Sequence, residues 1–279
     1  MLRRDHYAID GGVAVVTGAA GGIGSAIAER LARQGSHLVL VDRDKEGLAV
    51  VAGAVRTRRP DREVSVHAID LTEKDAALEI AEQAIDAHGR VTLVVNNAGV
   101  ALAGRFEQVS MDDVDWLLSI NLRGVLAVTS AFLPHLDRGA HITNMSSLFG
   151  LIAPIGNATY SASKFGVRGF SLALREELKP RGIGVTAVHP GGIRTGIARN
   201  ARRGVAVSEA EWETGLAIFD KFLVIEPSVA ARKIVDGTER RKGRVLIGPE
   251  AYAGDMAARI APIGYAPLFE RLMRLKAGL

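Results

Sequence analysis

The sequence predicts an α/β fold: a doubly wound, mainly parallel sheet of seven strands with helices on both faces. Three features predict it. Short β-branched apolar runs alternate with longer stretches whose apolar residues recur at helical spacing, the pattern of βαβ units. The strand-like runs are apolar throughout, as strands covered on both faces are. No low-complexity linker or internal repeat divides the chain, so its 279 residues are expected to form one domain.

Taken in order, strands are expected over residues 13–17, 37–42, 63–69, 92–96, 141–145, 184–189 and 244–247. Helices follow from the period between them: Ile23, Ile27 and Leu31 in the first, Leu78, Ala81 and Ile85 in another, and Val114, Leu117, Leu118, Leu122 and Leu126 in a longer one. Right-handed crossovers place these helices on both sides of the sheet, with ligands at the carboxyl ends of the strands. Residues 195–226 mix apolar and basic side chains (Ile197, Arg199, Arg202, Arg203, Trp212, Leu216, Phe219, Phe222) and are expected to form a substrate lid. The tail, residues 250–279, carries Leu268, Leu272, Met273 and Leu275 on an Arg-rich helical pattern. It is expected to cap the fold, pack on a partner subunit or lie on a membrane surface.

Composition removes several classes of function. With no cysteine there is no disulfide framework, thiol nucleophile or cysteine-based metal centre. The seven histidines are scattered without HExxH spacing, so no metal site is expected. Lys and Arg exceed Asp and Glu by only 35 to 31, and the densest basic stretches lack interleaved aromatics, so no nucleic-acid partner is expected. No apolar run approaches the ~20 residues of a bilayer span, and residues 1–10 lack a translocation signal. No integral membrane segment and a cytoplasmic location are therefore expected.

Thr17-Gly18-Ala19-Ala20-Gly21-Gly22-Ile23-Gly24 directly follows the first strand and opens a helix. Backbone N–H groups at such a junction attract an anion, and glycines let the main chain approach a pyrophosphate, as in a Rossmann dinucleotide site. No lysine follows, which disfavours a triphosphate P-loop. Asp42 ends the second strand at the distance expected of the acid that accepts ribose hydroxyls, and its charge repels a 2′-phosphate. Arg43 beside it could instead attract that phosphate. NAD is therefore favoured over NADP. Asp70-Leu71 closes the third strand, where Asp70 either bonds the adenine amino group or caps a helix from Thr72 onward.

Tyr160 and Lys164 lie four apart in a helical stretch, residues 160–179, and so project one turn apart from one face. An ammonium beside a phenol stabilises the phenolate and lowers its pKa from about 10. Together with the glycine-rich turn, Asn96-Asn97-Ala98-Gly99, Asn121, Ser146-Ser147 with Gly150, and Pro190-Gly191 with Thr195, this set resembles the short-chain dehydrogenase/reductase family in its single-domain, tyrosine-dependent form. The resemblance spans about residues 13–247.

The resemblance implies an NAD(P)-dependent oxidoreductase that interconverts a secondary alcohol and a ketone. It implies that Tyr160 exchanges a proton with the substrate oxygen, that Ser147 rather than Ser146 polarises the carbonyl, that Lys164 holds the nicotinamide ribose, and that Asn121 holds a water linking Lys164 to solvent. Asn97, Ala98 and Gly99 would line the cofactor's ribose, and Thr195 with the Ile193 backbone would fix the carboxamide beside Pro190 and Gly191. It also implies a homodimer or homotetramer built on two long helices, roughly residues 111–136 and 160–179.

Two rival readings fit parts of the sequence. Ser161-Ala162-Ser163-Lys164 fits an SxxK nucleophile, with Ser119-Ile120-Asn121 and Arg194-Thr195-Gly196 as companions, but the SxN element precedes SxxK, the reverse of that class. A silent NAD-binding regulator would not need Tyr160, Lys164, Ser147 and Asn121 together. For the substrate, Leu148, Phe149, Ile152 and Ile155 suggest a pocket for a lipid, steroid or aromatic molecule. Arg194, Arg199, Arg202 and Arg203 leave open a 3-oxoacyl thioester of coenzyme A or a carrier protein.

Overall fold

The computed structural model describes residues 6–267. In chain order the strands are β1 (Val13–Thr17), β2 (His37–Asp42), β3 (Val64–Ala68), β4 (Leu93–Asn96), β5 (Leu102–Ala103), β6 (His141–Met145), β7 (Gly184–Pro190), β8 (Arg202–Arg203) and β9 (Arg244–Ile247). The α-helices are α1 (Gly22–Arg33), α2 (Lys45–Arg58), α3 (Ala76–His88), α4 (Met111–Leu118), α5 (Gly124–Phe132), α6 (Ala158–Leu178), α7 (Glu209–Phe222), α8 (Pro227–Glu239) and α9 (Pro249–Ile260). Seven strands form one sheet in the order β3-β2-β1-β4-β6-β7-β9, and every pairing is parallel rather than mainly so. β5 and β8 pair as a separate parallel ribbon at the cleft rim, too short to register as strands in the sequence. The tail residues Leu268, Leu272, Met273 and Leu275 lie outside the described residues.

Successive strand residues feed two separate cores. Ala14, Val16, Leu38 and Leu40 pack with Ile27 and Leu31 of α1, Leu48 of α2 and Ile234 of α8. Val13, Val15, Val39 and Val41 pack on the other face with Ile80 of α3, Phe132 of α5 and Leu174 of α6. This is the doubly wound arrangement, and burial of each large side chain contributes about 1.5–3 kcal/mol. The strand order reverses between β1 and β4, where the sheet opens a crevice at its carboxyl edge.

α4 and α5 join through a π-turn at Ser119–Arg123. The helical stretch Met111–His135 is long and apolar enough, by length and composition, to cross a membrane, which corrects the expectation that nothing in the chain reaches that length. Half of its most apolar window is buried in this fold, with Val128 and Phe132 in the core, so it is accounted for as a core helix.

Two histidines sit under the sheet's helices without access to water. His141 is wholly buried and its Nε2 donates to Thr186 Oγ1 at 2.8 Å, since that hydroxyl gives its own proton to the Lys242 carbonyl. Burial pushes His141 down to about 3 and His189 down to about 4. Below pH ~6.5 the unfolded chain binds protons that the native state refuses, so stability falls as pH drops. Each histidine is expected to contribute about 1.4 kcal/mol of loss per pH unit on that limb. Denaturant unfolding between pH 7 and 5 reads this, and a flat profile would contradict it.

Candidate active site

The glycine-rich turn between β1 and α1 is built for close approach. Gly18 has φ +65°, and a Cβ on Gly24 would collide with the Gly18 carbonyl oxygen. Asn97 Nδ2 ties the turn down by donating to the carbonyls of Thr17 (3.0 Å) and Gly18 (3.1 Å). Thr17 Oγ1 in turn accepts from the backbone N–H groups of Asn97 (3.0 Å) and Ala98 (3.1 Å). α1 begins without a side-chain cap or an acid in its first turn, and nothing lies within 4 Å of where a Gly21 Cβ would stand. Its first N–H groups therefore face open space that suits a pyrophosphate, so the residues present fit a dinucleotide.

Asp42 is held in place: Oδ2 accepts from Ala20 N–H at 3.0 Å and Oδ1 from Asp44 N–H at 3.1 Å. Each oxygen keeps a further lone pair, and both Asp42 and Arg43 line the cleft. Asp70 Oδ1 accepts from the Thr72 N–H and hydroxyl. This is a local turn rather than a helix cap, because α3 starts only at Ala76. Asp70 and Leu71 also line the cleft. Across it, Gly22 faces Thr195. Ile193 is buried and bridges Ile225, and Gly191 N–H donates to the Ile247 carbonyl at 2.8 Å.

α6 presents Tyr160 and Lys164 to the same cleft, with Lys164 Nζ 5.7 Å from the centre of the Tyr160 ring. Phe149 meets that ring edge-on at 6.1 Å. Ser147 and Tyr160 both line the cleft and the Ser147 Oγ accepts from the Phe149 N–H at 3.1 Å, whereas Ser146 is buried and spends its hydroxyl on the Lys164 carbonyl at 2.8 Å. That difference distinguishes the two serines: Ser147 lines the cleft with a side chain that is not fully buried, and Ser146 is tied to the backbone of α6. Lys164 Nζ donates to the Met145 carbonyl at 3.1 Å. A Cβ on Gly99 would stand 3.3 Å from both Lys164 Nζ and Asn121 Oδ1, so Asn121, Gly99 and Lys164 meet in one corner.

The expected lowering of the phenol's pKa is not what this arrangement produces. Burial pushes Tyr160 up to about 12, with only the Ser147 hydroxyl pulling the other way. Burial also brings Lys164 down to about 8. Desolvation penalises both charged forms here and outweighs their mutual support. At neutral pH the phenol is protonated, which makes it a proton donor.

Asn121 has less freedom than expected. Its Oδ1 accepts from Val100 N–H at 2.8 Å, while Nδ2 donates to the Val100 carbonyl (2.9 Å) and to Ser163 Oγ (3.3 Å). One lone pair on Oδ1 is left for a water.

The cleft holds a cavity of about 990 Å³ running from the glycine turn to α7. Its far wall is apolar: Leu148, Phe149, Ile152, Trp212, Leu216 and Phe219. No residue of α7 is buried, and its Trp212, Leu216 and Phe219 side chains line this space. The four lid arginines are all engaged. Arg194 pairs with Glu226 (2.7 Å), Arg199 with Asp220 (2.9 Å) and Arg203 with Glu209, while Arg202 lies on the Trp116 ring at 3.8 Å and pairs with Asp113 at 3.4 Å.

A family model described as short chain dehydrogenase matches residues 12–206. This chain belongs to that family. The Mycobacterium tuberculosis protein SadH is 40% identical to this chain over 264 residues, spanning 93% of this chain and 94% of its own. The 3-oxoacyl-acyl-carrier-protein reductase FabG of Thermotoga maritima is 33% identical over 189 residues, 67% of this chain and 76% of its own. Among solved structures, a short-chain dehydrogenase/reductase from Burkholderia phymatum in complex with NAD superposes with a TM-score of 0.82 at 27% identity, covering 91% of this dehydrogenase and 95% of that chain.

Several residues that shape or support the cleft were not singled out by the sequence. His189 Nδ1 donates to the Ser147 carbonyl at 3.1 Å and so fixes that backbone. Glu250, in the first turn of α9, accepts from Gly192 N–H at 2.7 Å, and glycines at 191, 192 and 248 leave room for its carboxylate. Those three glycines were the available clue. Tyr265 lines the cavity and its hydroxyl accepts from Ala153 N–H at 2.7 Å, closing the far end of the cleft; nothing in the sequence marks it. The histidines are also less scattered than their spacing suggests, since His37 and His88 meet around Glu63 at the opposite edge of the sheet.

Proposed function

We propose that this dehydrogenase reduces an apolar ketone to a secondary alcohol, and runs the reverse oxidation, with NAD as the preferred cofactor. The observation that carries the reading is the convergence of Tyr160, Ser147 and Lys164 on one wall of a cavity whose other end is the glycine-rich turn. A nicotinamide dinucleotide, when bound, supplies hydride chemistry that no side chain can. Gly18, Gly22, Ile23 and Gly24 would hold its pyrophosphate, and Asp42 its adenosine ribose with Arg43 alongside. Asp70 and Leu71 would border the adenine, Asn97, Ala98 and Gly99 the second ribose, and Pro190, Gly191, Ile193 and Thr195 the carboxamide.

Ser147 donates a hydrogen bond to the substrate oxygen and orients it toward Tyr160. The protonated phenol then gives its proton to that oxygen as negative charge develops there. Lys164 stabilises the phenolate left behind, and Asn121 supports the water that restores the proton. In oxidation the same groups run in reverse.

The apolar cavity wall favours a hydrophobic alcohol or ketone. A 3-oxoacyl thioester is the second reading, favoured by the FabG relative. Against it, none of the four lid arginines is left without a carboxylate partner to offer an acidic carrier. A silent dinucleotide-binding regulator leaves the Tyr160, Ser147 and Lys164 grouping without a use. We further assign a homodimer or homotetramer built on α4, α5 and α6, whose Leu126, Phe165 and Leu172 side chains are exposed.

The test is a nicotinamide fluorescence and absorbance screen with NADH and NADPH against ketones of graded size and acyl thioesters. NADH oxidation by apolar ketones, at least tenfold more efficient than with NADPH, is expected from the ~1.4 kcal/mol cost of placing a 2′-phosphate beside Asp42. Turnover of thioesters alone, or of nothing, would overturn the reading.

A further inference from the structure

A second polar cluster lies at the edge of the sheet opposite the cleft. His37 opens β2, Glu63 immediately precedes β3 and His88 closes α3. One ligand atom from each lies within 4.8 Å of the other two. Glu63 Oε2 is 3.6 Å from His37 Nδ1 and 3.6 Å from His88 Nδ1.

The surrounding hydrogen bonds decide where the protons sit. Gln83 Nε2 donates to Glu79 Oε1 at 2.8 Å, which turns Gln83 Oε1 toward His67 Nδ1 at 2.7 Å. An amide oxygen only accepts, so His67 Nδ1 carries a proton and its Nε2 is an acceptor. That Nε2 takes the Ser65 hydroxyl proton at 2.9 Å, and Ser65 Oγ in turn accepts from His88 Nε2–H at 2.9 Å. His88 Nδ1 is left as a bare lone pair. Its side chain is 2% exposed, the atom has no hydrogen-bond partner, and it faces the Glu63 carboxylate. His37 Nδ1 also directs a lone pair here, accepting the Glu63 backbone N–H at 3.1 Å. The unpartnered lone pair of His88, the His37 Nδ1 lone pair with its single backbone N–H contact and the Glu63 carboxylate converge, an arrangement that a cation relieves.

We propose that His37, Glu63 and His88 form a binding site for a divalent transition-metal ion of the zinc type. Two imidazoles and a carboxylate with one open position are a zinc donor set, and bonds of about 2.0–2.1 Å in a tetrahedron separate the donors by about 3.4 Å. The observed 3.6 Å separations are close to that, and the His37 contact to the Glu63 N–H is the one that lengthens on binding. Ser65 fixes the His88 ring in the manner of an outer-shell partner of a ligating histidine.

The ion ties β2, β3 and α3 together. β2 separates the site from Asp42 by about 17 Å at ~3.3 Å per residue, so the ion stabilises the fold without entering the reaction.

The test uses the tag-free, full-length chain stripped with a chelator, titrated with Zn²⁺ against a chromophoric chelator and with Co²⁺ by visible absorption. One equivalent of each is expected, with a tetrahedral Co²⁺ band, a zinc-dependent rise in Tm and unchanged dehydrogenase turnover. Glu63→Gln, His37→Ala and His88→Ala are each expected to weaken binding by about tenfold or more. Glu63 is 70% exposed, so its variant keeps the test valid if the buried His88 variant misfolds. Binding below half an equivalent, or zinc bound equally well by Glu63→Gln and His37→Ala, would overturn the proposal.

Discussion

Tyr160→Phe is expected to lower turnover by about 10²–10⁴-fold, the range a positioned general acid contributes. The change removes one oxygen and leaves the ring, so the edge-on contact with Phe149 and the Lys164 side chain above the ring persist. The lost oxygen is the one whose proton the substrate would take, so Ser147, which lines the same cleft, can still hold the substrate but with no proton donor beside it. The defect therefore falls on kcat, with substrate KM changed little, and steady-state kinetics in both directions reads the split. The protonated phenol makes the effect largest in ketone reduction near neutral pH.

The second large effect is expected at the other end of the cleft. Gly24→Val places a Cβ against the Gly18 carbonyl oxygen and 2.6 Å from Asn97 Nδ2. Neither neighbour can yield cheaply. The first is backbone, and Asn97 is committed to the Thr17 and Gly18 carbonyls. The turn must open, at a cost of about 1–3 kcal/mol to the fold. A loss of that size at the dinucleotide cradle corresponds to about 10–100-fold in NADH Kd. Fluorescence titration with NADH and a thermal melt check both; native affinity in this variant would mean that the turn is not where the dinucleotide sits.

The sheet was legible because parallel strands buried on both faces leave uninterrupted apolar runs, and five-residue β1 and β6 match their expected bounds. The glycine turn and the Tyr160–Lys164 pair were legible because their spacing in the chain is their spacing in space, and Asp42 because the parallel pairing of β1 and β2 brings the two strand ends together. What stayed hidden depends on distant segments meeting. Arg202 finds Asp113 and Trp116 from far along the chain, and Asn121 spends its side chain on the Val100 backbone. The rise in the Tyr160 pKa belongs to the same class: a residue pattern shows a neighbouring ammonium but not how much water the fold removes from both groups. Met111–His135 escaped notice because Ser119, Asn121 and Arg123 interrupt its apolar run, although the average over the stretch remains apolar. The pairing of the lid arginines changes a substrate argument, since their charge is visible in the sequence and its neutralisation is not.

The most direct test of the account is a single-turnover experiment on Tyr160→Phe with NADH already bound, mixed with an apolar ketone that the native enzyme reduces. NADH affinity within about threefold of native, a difference under 1 kcal/mol, together with hydride transfer slowed about a hundredfold or more, is the predicted result. Hydride transfer at the native rate would show that the substrate's proton comes from another group and that the cleft has been read wrongly.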